Sequence, residues 1–397
     1  MPTLALPLPS EPGSLTLHPA GRRPSVAIVS TFPPTQCGLA TFSSALANGL
    51  AVCGVTEVGI VSVGDREDLT DMRRVVGQLV PNDALSISRT AQVLNRFDVV
   101  IIQHEYGIYG GNDGDEIVEV MKRVRSPMIS TLHTVPLQPS AHQKHVLEEV
   151  IELSTCAVTM TNIARQRLLS VYEVDESRVV TIPHGATVPR PVTPRQDPLP
   201  QVLTWGLLGP GKGIEWVIDA LALLRSRGVE MRYTIAGRTH PKVKANAGED
   251  YRHMLQKRAR TLGVHDLVDF DSEYRSLDSL LELVAQSTCV VLPYESIDQI
   301  TSGVLVDAIA AGRPVVATAF PHAVELLSGG AGILVPPRNA EALSRALHRI
   351  ATDRPALRMM ESRAAELAPM HSWFAVAESY RRLGESILHP PFVEVLA

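Results

Sequence analysis

Residues 288–318 read TCVVLPYESIDQITSGVLVDAIAAGRPVVAT. Cys289-Val290-Val291-Leu292-Pro293 is an apolar run of the length expected for a buried strand. Thr301 or Ser302 can cap the helix that follows, and Gly312 ends it with Pro314 just beyond. Pro314-Val315-Val316-Ala317-Thr318 is then the next strand. Strand, polar loop, short helix and strand make a βαβ unit, so the two strands run parallel and the loop lies at a strand carboxyl end. Thr301-Ser302-Gly303-Val304 therefore offers backbone N–H groups at a helix start, and Gly303 has no Cβ to keep an anion away. That is a phosphate seat. Asp307, four residues after Gly303, falls on the same face one turn deeper, where its carboxylate can accept hydrogen bonds from hydroxyls. On these residues alone, an ordinary capped helix with a solvent-facing Asp307 reads equally well.

Upstream, Gln201–Gly206 is a strand, and Leu207-Leu208-Gly209-Pro210-Gly211-Lys212-Gly213 opens a helix over Ile214–Ser226. Gly206-x4-Gly211-Lys212 is a P-loop up to its last position, but Gly213 stands where Ser or Thr must hold Mg²⁺. Gly209-x-Gly211-x-Gly213 is one residue short of dinucleotide spacing. What survives both failures is a glycine-lined helix start with one lysine, suited to a diphosphate. Strand Tyr233–Gly237, helix Tyr251–Leu262, strand Val268–Asp271 and helix Leu277–Gln286 lead to the opening stretch. Helices Ala340–Asp353, Ala356–Leu367 and Ser372–Leu388 follow it.

Residues 188–200, VPRPVTPRQDPLP, carry five prolines and almost no periodicity, which reads as an interdomain linker. Before it, Ser25–Ser30, Glu57–Val63, Asp98–Gln103 and Pro127–Leu132 are strands alternating with helical stretches, the first helix running from about Thr41 to Leu50. No G-x-G-x-x-G follows the first strand, so a dinucleotide fingerprint is absent there. Two later strands end in loops bearing His104-Glu105-Tyr106 and His133. In an open α/β sheet, ligands gather outside strand carboxyl ends. Asp113-Gly114-Asp115 has the form of a metal-binding D-x-D, yet it leads into a helix over Glu116–Arg125, where Asp115 serves equally as an N-terminal acid. No metal site is expected there. His142 and His145 have ligand spacing without a third ligand, as on a solvated helix face.

The chain has 397 residues, enough for two domains, with 45% apolar and 20% charged residues. A net charge of −5 gives no bulk drive toward nucleic acid or an anionic membrane. No apolar run reaches the roughly 20 residues of a transmembrane helix. Residues 1–23, rich in Pro and Leu, lack a basic start and a continuous apolar stretch and read as a disordered leader. The four cysteines, Cys37, Cys53, Cys156 and Cys289, are widely spaced without a C-x-x-C pair, as expected of reduced thiols in the cytoplasm.

VDAIAAGRPVVAT resembles the donor-binding segment of the retaining GT-B glycosyltransferases (glycosyltransferase family 4, glycosyl transferases group 1), in which E-x7-E precedes a small-residue run and G-x-PVVA. Gly206–Gly213 is similar to the family's G-R-L-x-x-x-K-G, Ile182–Gly185 to its I-P-N-G with His184 for Asn, and Phe320–Leu326 and Gly332–Pro336 to its late segment. The resemblance spans about residues 25–388 and is tighter in the second half. It implies an α/β protein of GT-B fold, two Rossmann-like domains with parallel sheets facing across a cleft. The first would span 24–187 and hold the acceptor; the second, 201–370, would hold the nucleotide sugar; a tail helix within 371–390 would cross back to the first. It implies that Asp307 holds the ribose, that Gln299, in place of the first acid, contacts the sugar, and that Lys212 binds the diphosphate with the Ser302, Gly303 and Val304 amides. Gly211 and Gly38 would admit the phosphates, and His133 would lie over the sugar. Leu207 stands where the family has arginine, with Arg238 as a substitute cation. His104, Glu105 and Tyr106 would face the acceptor.

The expected activity is transfer of a sugar from a nucleoside diphosphate donor to a hydroxyl acceptor (saccharide, lipid or small molecule) with retained configuration, without metal or other cofactor. A sugar-nucleotide epimerase and a non-catalytic sugar-nucleotide sensor remain the alternatives.

Overall fold

In a computed structural model of the protein, residues 23–64, 73–189, 197–273 and 275–389 are described. The expected leader lies outside them apart from Arg23, as does 190–196 of the expected linker. Two wholly parallel sheets form. The first has seven strands in the order β3-β2-β1-β4-β5-β6-β7. These are β1 (Ser25–Ser30), β2 (Glu57–Val63), β3 (Val75–Leu79), β4 (Val99–His104), β5 (Met128–Leu132), β6 (Cys156–Thr159) and β7 (Val179–Thr181). The second has six in the order β10-β9-β8-β11-β12-β13. They are β8 (Gln201–Trp205), β9 (Arg232–Ala236), β10 (Val268–Asp271), β11 (Cys289–Leu292), β12 (Val315–Thr318) and β13 (Gly332–Val335). Helices cover both faces, so the strands read as continuous apolar runs rather than alternating ones.

Strand order reverses between β1 and β4 in the first sheet and between β8 and β11 in the second. Loops leave such a switch point in opposite directions and open a crevice at the strand carboxyl ends. The Lys212 loop follows β8 and the Gln299 loop follows β11, so the second crevice lies between them. The opening stretch forms as read, with Ser302 as the cap of helix Gly303–Ala310.

Several boundaries differ from the sequence expectation, each for a local reason. Helix Gly38–Val52 begins three residues early because the Cys37 sulfur accepts the Ala40 N–H. The helix expected over Glu116–Arg125 stops at Met121, where Arg123 and Val124 turn to carbonyls three residues back. β4 runs one residue further than expected because His104 pairs with Leu132, which makes His104 a strand residue. β3 and helix Pro241–Ala247 form without an expectation from the sequence.

Helix Trp373–Leu388 returns to the first domain, where Val376, Ala377 and Tyr380 join its core beside Phe42 and Leu46. The Tyr380 hydroxyl meets Thr131 Oγ1 on β5 at 2.9 Å. Ile300, from the second domain, is 4% exposed and packs in a first-domain cluster with Leu132, Val135, Leu147 and Leu168. No described helix is long and apolar enough to cross a membrane.

Candidate active site

Lys212 sits in the turn between β8 and helix Ile214–Ser226. Gly213 takes a positive φ of 69°, and a Cβ there would lie 1.9 Å from the Pro293 carbonyl, so the turn is pressed against the loop after β11. The Glu295 N–H donates to the Gly211 carbonyl at 2.9 Å and ties the two loops together. The ammonium of Lys212 rests 4.5 Å from the centre of the Tyr294 ring, which stacks on Phe320. Burial lowers the Lys212 pKa, and no carboxylate among the described residues compensates its charge. A partly desolvated cation without a counter-ion favours an anionic ligand.

The helix start beside it is more selective than its sequence suggests. The Ser302 N–H is taken by His322 Nδ1 at 2.8 Å, and the Ser302 hydroxyl accepts from Leu305 N–H at 3.3 Å. Gly303 and Val304, the first two helical residues, remain as donors without intrahelical acceptors. The seat thus narrows from three amides to two. A Cβ on Gly303 would stand 3.1 Å from the ring of His184, which reaches over from the first domain. Asp307 lies one turn along, and no hydrogen bond or ion pair reaches its carboxylate among the described residues. Burial pushes its pKa up to about 7.

Gln299 donates its amide to the Thr301 carbonyl at 3.1 Å, which leaves the side-chain oxygen open. Glu295, four residues earlier in that loop, is occupied: it accepts from Trp216 Nε1 at 2.9 Å and pairs with Arg338 at 2.8 Å. The open Gln299 oxygen is thus a neutral polar group in the loop, beside the Asp298 carboxylate that faces Arg167.

From the first domain, His133 Nε2–H donates to Gln103 Oε1 at 2.6 Å, because a carbonyl oxygen can only accept. Phe42 packs edge-on against both His133 and His184. Burial, with His184 and His104 adding to it, holds His133 down to about 3, so its ring is neutral at pH 7. Glu105 accepts from the Thr134 hydroxyl, and burial raises its pKa. Tyr106 donates its hydroxyl to the Gln143 carbonyl at 3.2 Å. His104 is 1% exposed, its Nδ1 has no partner among the described residues, and its ring meets Tyr106 edge-on, so it backs the wall rather than lining it.

Gly38 and Arg238 meet across a cavity of about 240 Å³ that also takes in Leu207, Gly237 and Arg275. Gly211, with a φ of 85°, faces open space. Asp113 and Asp115 both approach His142, at 3.1 and 3.5 Å. Among the described residues no group of three or more His, Cys, Asp or Glu is arranged to hold a metal ion. Sequence reasoning missed Tyr294 beneath Lys212 and His322 on the Ser302 amide. Only the late-segment match around Phe320–Leu326 pointed anywhere near the latter.

Residues 200–353 match the model of the family Glycosyl transferases group 1. A D-inositol 3-phosphate glycosyltransferase of Stackebrandtia nassauensis is 27% identical over 58% of this chain and 54% of its own length. The chain spans about half the length of the curated relatives it matches. A glycosyltransferase from Rickettsia africae superposes with a TM-score of 0.72 at 16% identity, covering 92% of this chain and 99% of that one. HepE from Anabaena in complex with UDP gives 0.70 at 16% identity, over 91% and 100%. The fold is GT-B.

Proposed function

From a chain whose second domain matches Glycosyl transferases group 1, we propose that this protein transfers a sugar from a nucleoside diphosphate sugar to a hydroxyl acceptor. At one switch point a lysine, two helix-start amides and, one turn away, a carboxylate converge, none of them with a counter-ion or acceptor among the described residues. These groups suit a diphosphate at one end and a ribose at the other. The sugar's reacting carbon then falls toward Gln299 and His133.

The largest demand on such a reaction is the charge that collects on the diphosphate as the glycosidic C–O bond breaks. Lys212 and the Gly303–Val304 amides are preorganised for it and need no metal ion. Retention of configuration follows from attack on the face the leaving group vacates. The acceptor oxygen bonds to the anomeric carbon, and its proton passes to the departing phosphate oxygen. Neutral His133 can hydrogen-bond sugar hydroxyls, and Glu105 lies on the acceptor side. The donor enters as co-substrate, and the chemistry requires no resident cofactor.

The test is a panel of nucleoside diphosphate sugars, read first by thermal shift and then by transfer in the presence of EDTA. A ligand at 100 times its Kd stabilises by about 2.7 kcal/mol, so the right donor is distinguishable from the rest. Binding without transfer or hydrolysis would favour a sensor. Epimerised donor would favour the epimerase.

A further inference from the structure

The loop that carries Gln299 is built by the second domain but anchored in the first. Ile300 is buried in the first domain's cluster beside Val135. Its carbonyl accepts from the Thr161 hydroxyl at 3.1 Å. Arg167, on helix Asn162–Val171, has a side chain only 9% exposed. Its Nη1 donates to two carbonyls at 3.2 Å each, Val135 in the loop after His133 and Asp298 next to Gln299. The same helix receives a second hold from the other domain: Glu325 accepts from the Asn162 and Ile163 N–H groups at 2.9 Å each. A carboxylate there satisfies orphan donors and complements the helix dipole.

We propose that Arg167 is a positioning residue that fixes Gln299 relative to His133 by bridging the donor-side and acceptor-side loops with one guanidinium. The planar guanidinium suits the task, because the two N–H groups of Nη1 point in fixed directions and hold two carbonyls from different domains in one rigid frame. Ile300 supplies the apolar plug that keeps the second loop against the first domain. Separation of the domains must withdraw Ile300 and break the Thr161–Ile300 and Arg167–Asp298 carbonyl bonds, and the Gln299 loop then loses its template. The donor sugar site is complete only when the domains are closed. The exposed ion pair to Asp298, at 3.5 Å with that carboxylate 58% exposed, adds little to this.

The inference rests on the glycosyl-transfer reading for its kinetic consequence, but not for its structural one. Arg167→Met is expected to raise amide hydrogen exchange across 297–303 by about tenfold or more, the scale of losing a shared anchor. Exchange in helix Ile214–Ser226 should not change. In an active preparation, Arg167→Met should lower kcat about tenfold with a smaller effect on donor KM. Combined with Gln299→Ala, it should add almost nothing to the loss from Gln299→Ala alone, because one residue acts through the other. Arg167→Lys, which keeps a cationic nitrogen with N–H donors but loses reach and the fixed planar geometry, should recover part of the rate. Ile300→Val, a mild change that leaves the fold intact, should move exchange in the same direction. Unchanged exchange in 297–303, or kinetic losses that multiply in the double variant, overturns the proposal. A wild-type protein that transfers no sugar overturns the functional reading alone, since exchange still decides the clamp.

Discussion

Asp307 is the donor-side carboxyl whose charge changes near neutral pH. Its folded pKa, near 7, lies above the ordinary carboxylate value because burial disfavours the charge. The folded state therefore binds the proton more tightly than the unfolded one. The resulting stability is fully present below about pH 4 and is lost as pH rises toward 7. Asp307→Asn should exceed the wild type in stability by roughly 1–3 kcal/mol at pH 8 and by less at pH 5. Denaturant titrations at the two pH values check this, and an equal gain at both would contradict it. Ribose hydroxyls bind the ionised carboxylate, so donor KM should rise as pH falls through 7 in the wild type and stay flat in the variant. Lys212→Ala should cost roughly 1.5–3 kcal/mol in donor binding, and more in kcat, with little change in melting temperature. Near wild-type turnover would remove its phosphate role. Gln299 can donate as well as accept, so Gln299→Ala should reorder donor sugars that share one nucleotide. Kinetics on two such sugars measures it directly.

Two helices decide whether those side chains meet. Helix Gly303–Ala310 supplies the amides, and its position was readable because Ser302, Gly312 and Pro314 punctuate it in sequence. Helix Trp373–Leu388 works at a distance. Trp373 packs edge-on against Phe42, and Phe42 against His133 and His184. Gly49 is what lets this helix close on helix Gly38–Val52: a Cβ there would lie 2.7 Å from Ala377 Cβ and 2.8 Å from the Trp373 carbonyl. The second contact is backbone and cannot swing aside. Gly49→Ala should therefore push the two helices apart and cost about 1–3 kcal/mol. Thermal denaturation reads the loss, and a reduced kcat should accompany it because the wall behind His133 moves.

At the scale of the whole molecule, catalysis is expected to depend on how the two sheets face one another and not on a metal. Asp113 and Asp115, whose D-x-D spacing invites a metal reading, converge on His142. Activity should survive EDTA undiminished. Loss on chelation with recovery in Mg²⁺ or Mn²⁺ would return those two acids to the mechanism. The crevice joins groups from both domains, such as Gly38 with Arg238 and His184 with Gly303. Solvent viscosity and crowding should accordingly affect kcat more than would chemistry in a site held by one domain.

The parallel α/β architecture, the helix start at Ser302 and the glycine-lined turn at Lys212 were legible in the order of residues alone. Each follows from neighbours within a few residues: apolar runs of strand length, a capping hydroxyl, a glycine after a helix. Tertiary structure alone decided which of the available groups stay free. The Ser302 amide is taken by His322, twenty residues on. Glu295 is claimed by Trp216 and Arg338, and Ile300 by a core more than a hundred residues earlier in the chain. Such pairings leave no periodicity to read, because strand order and domain packing bring the partners together. Local sequence specifies what a residue can offer; the fold decides what it has already spent.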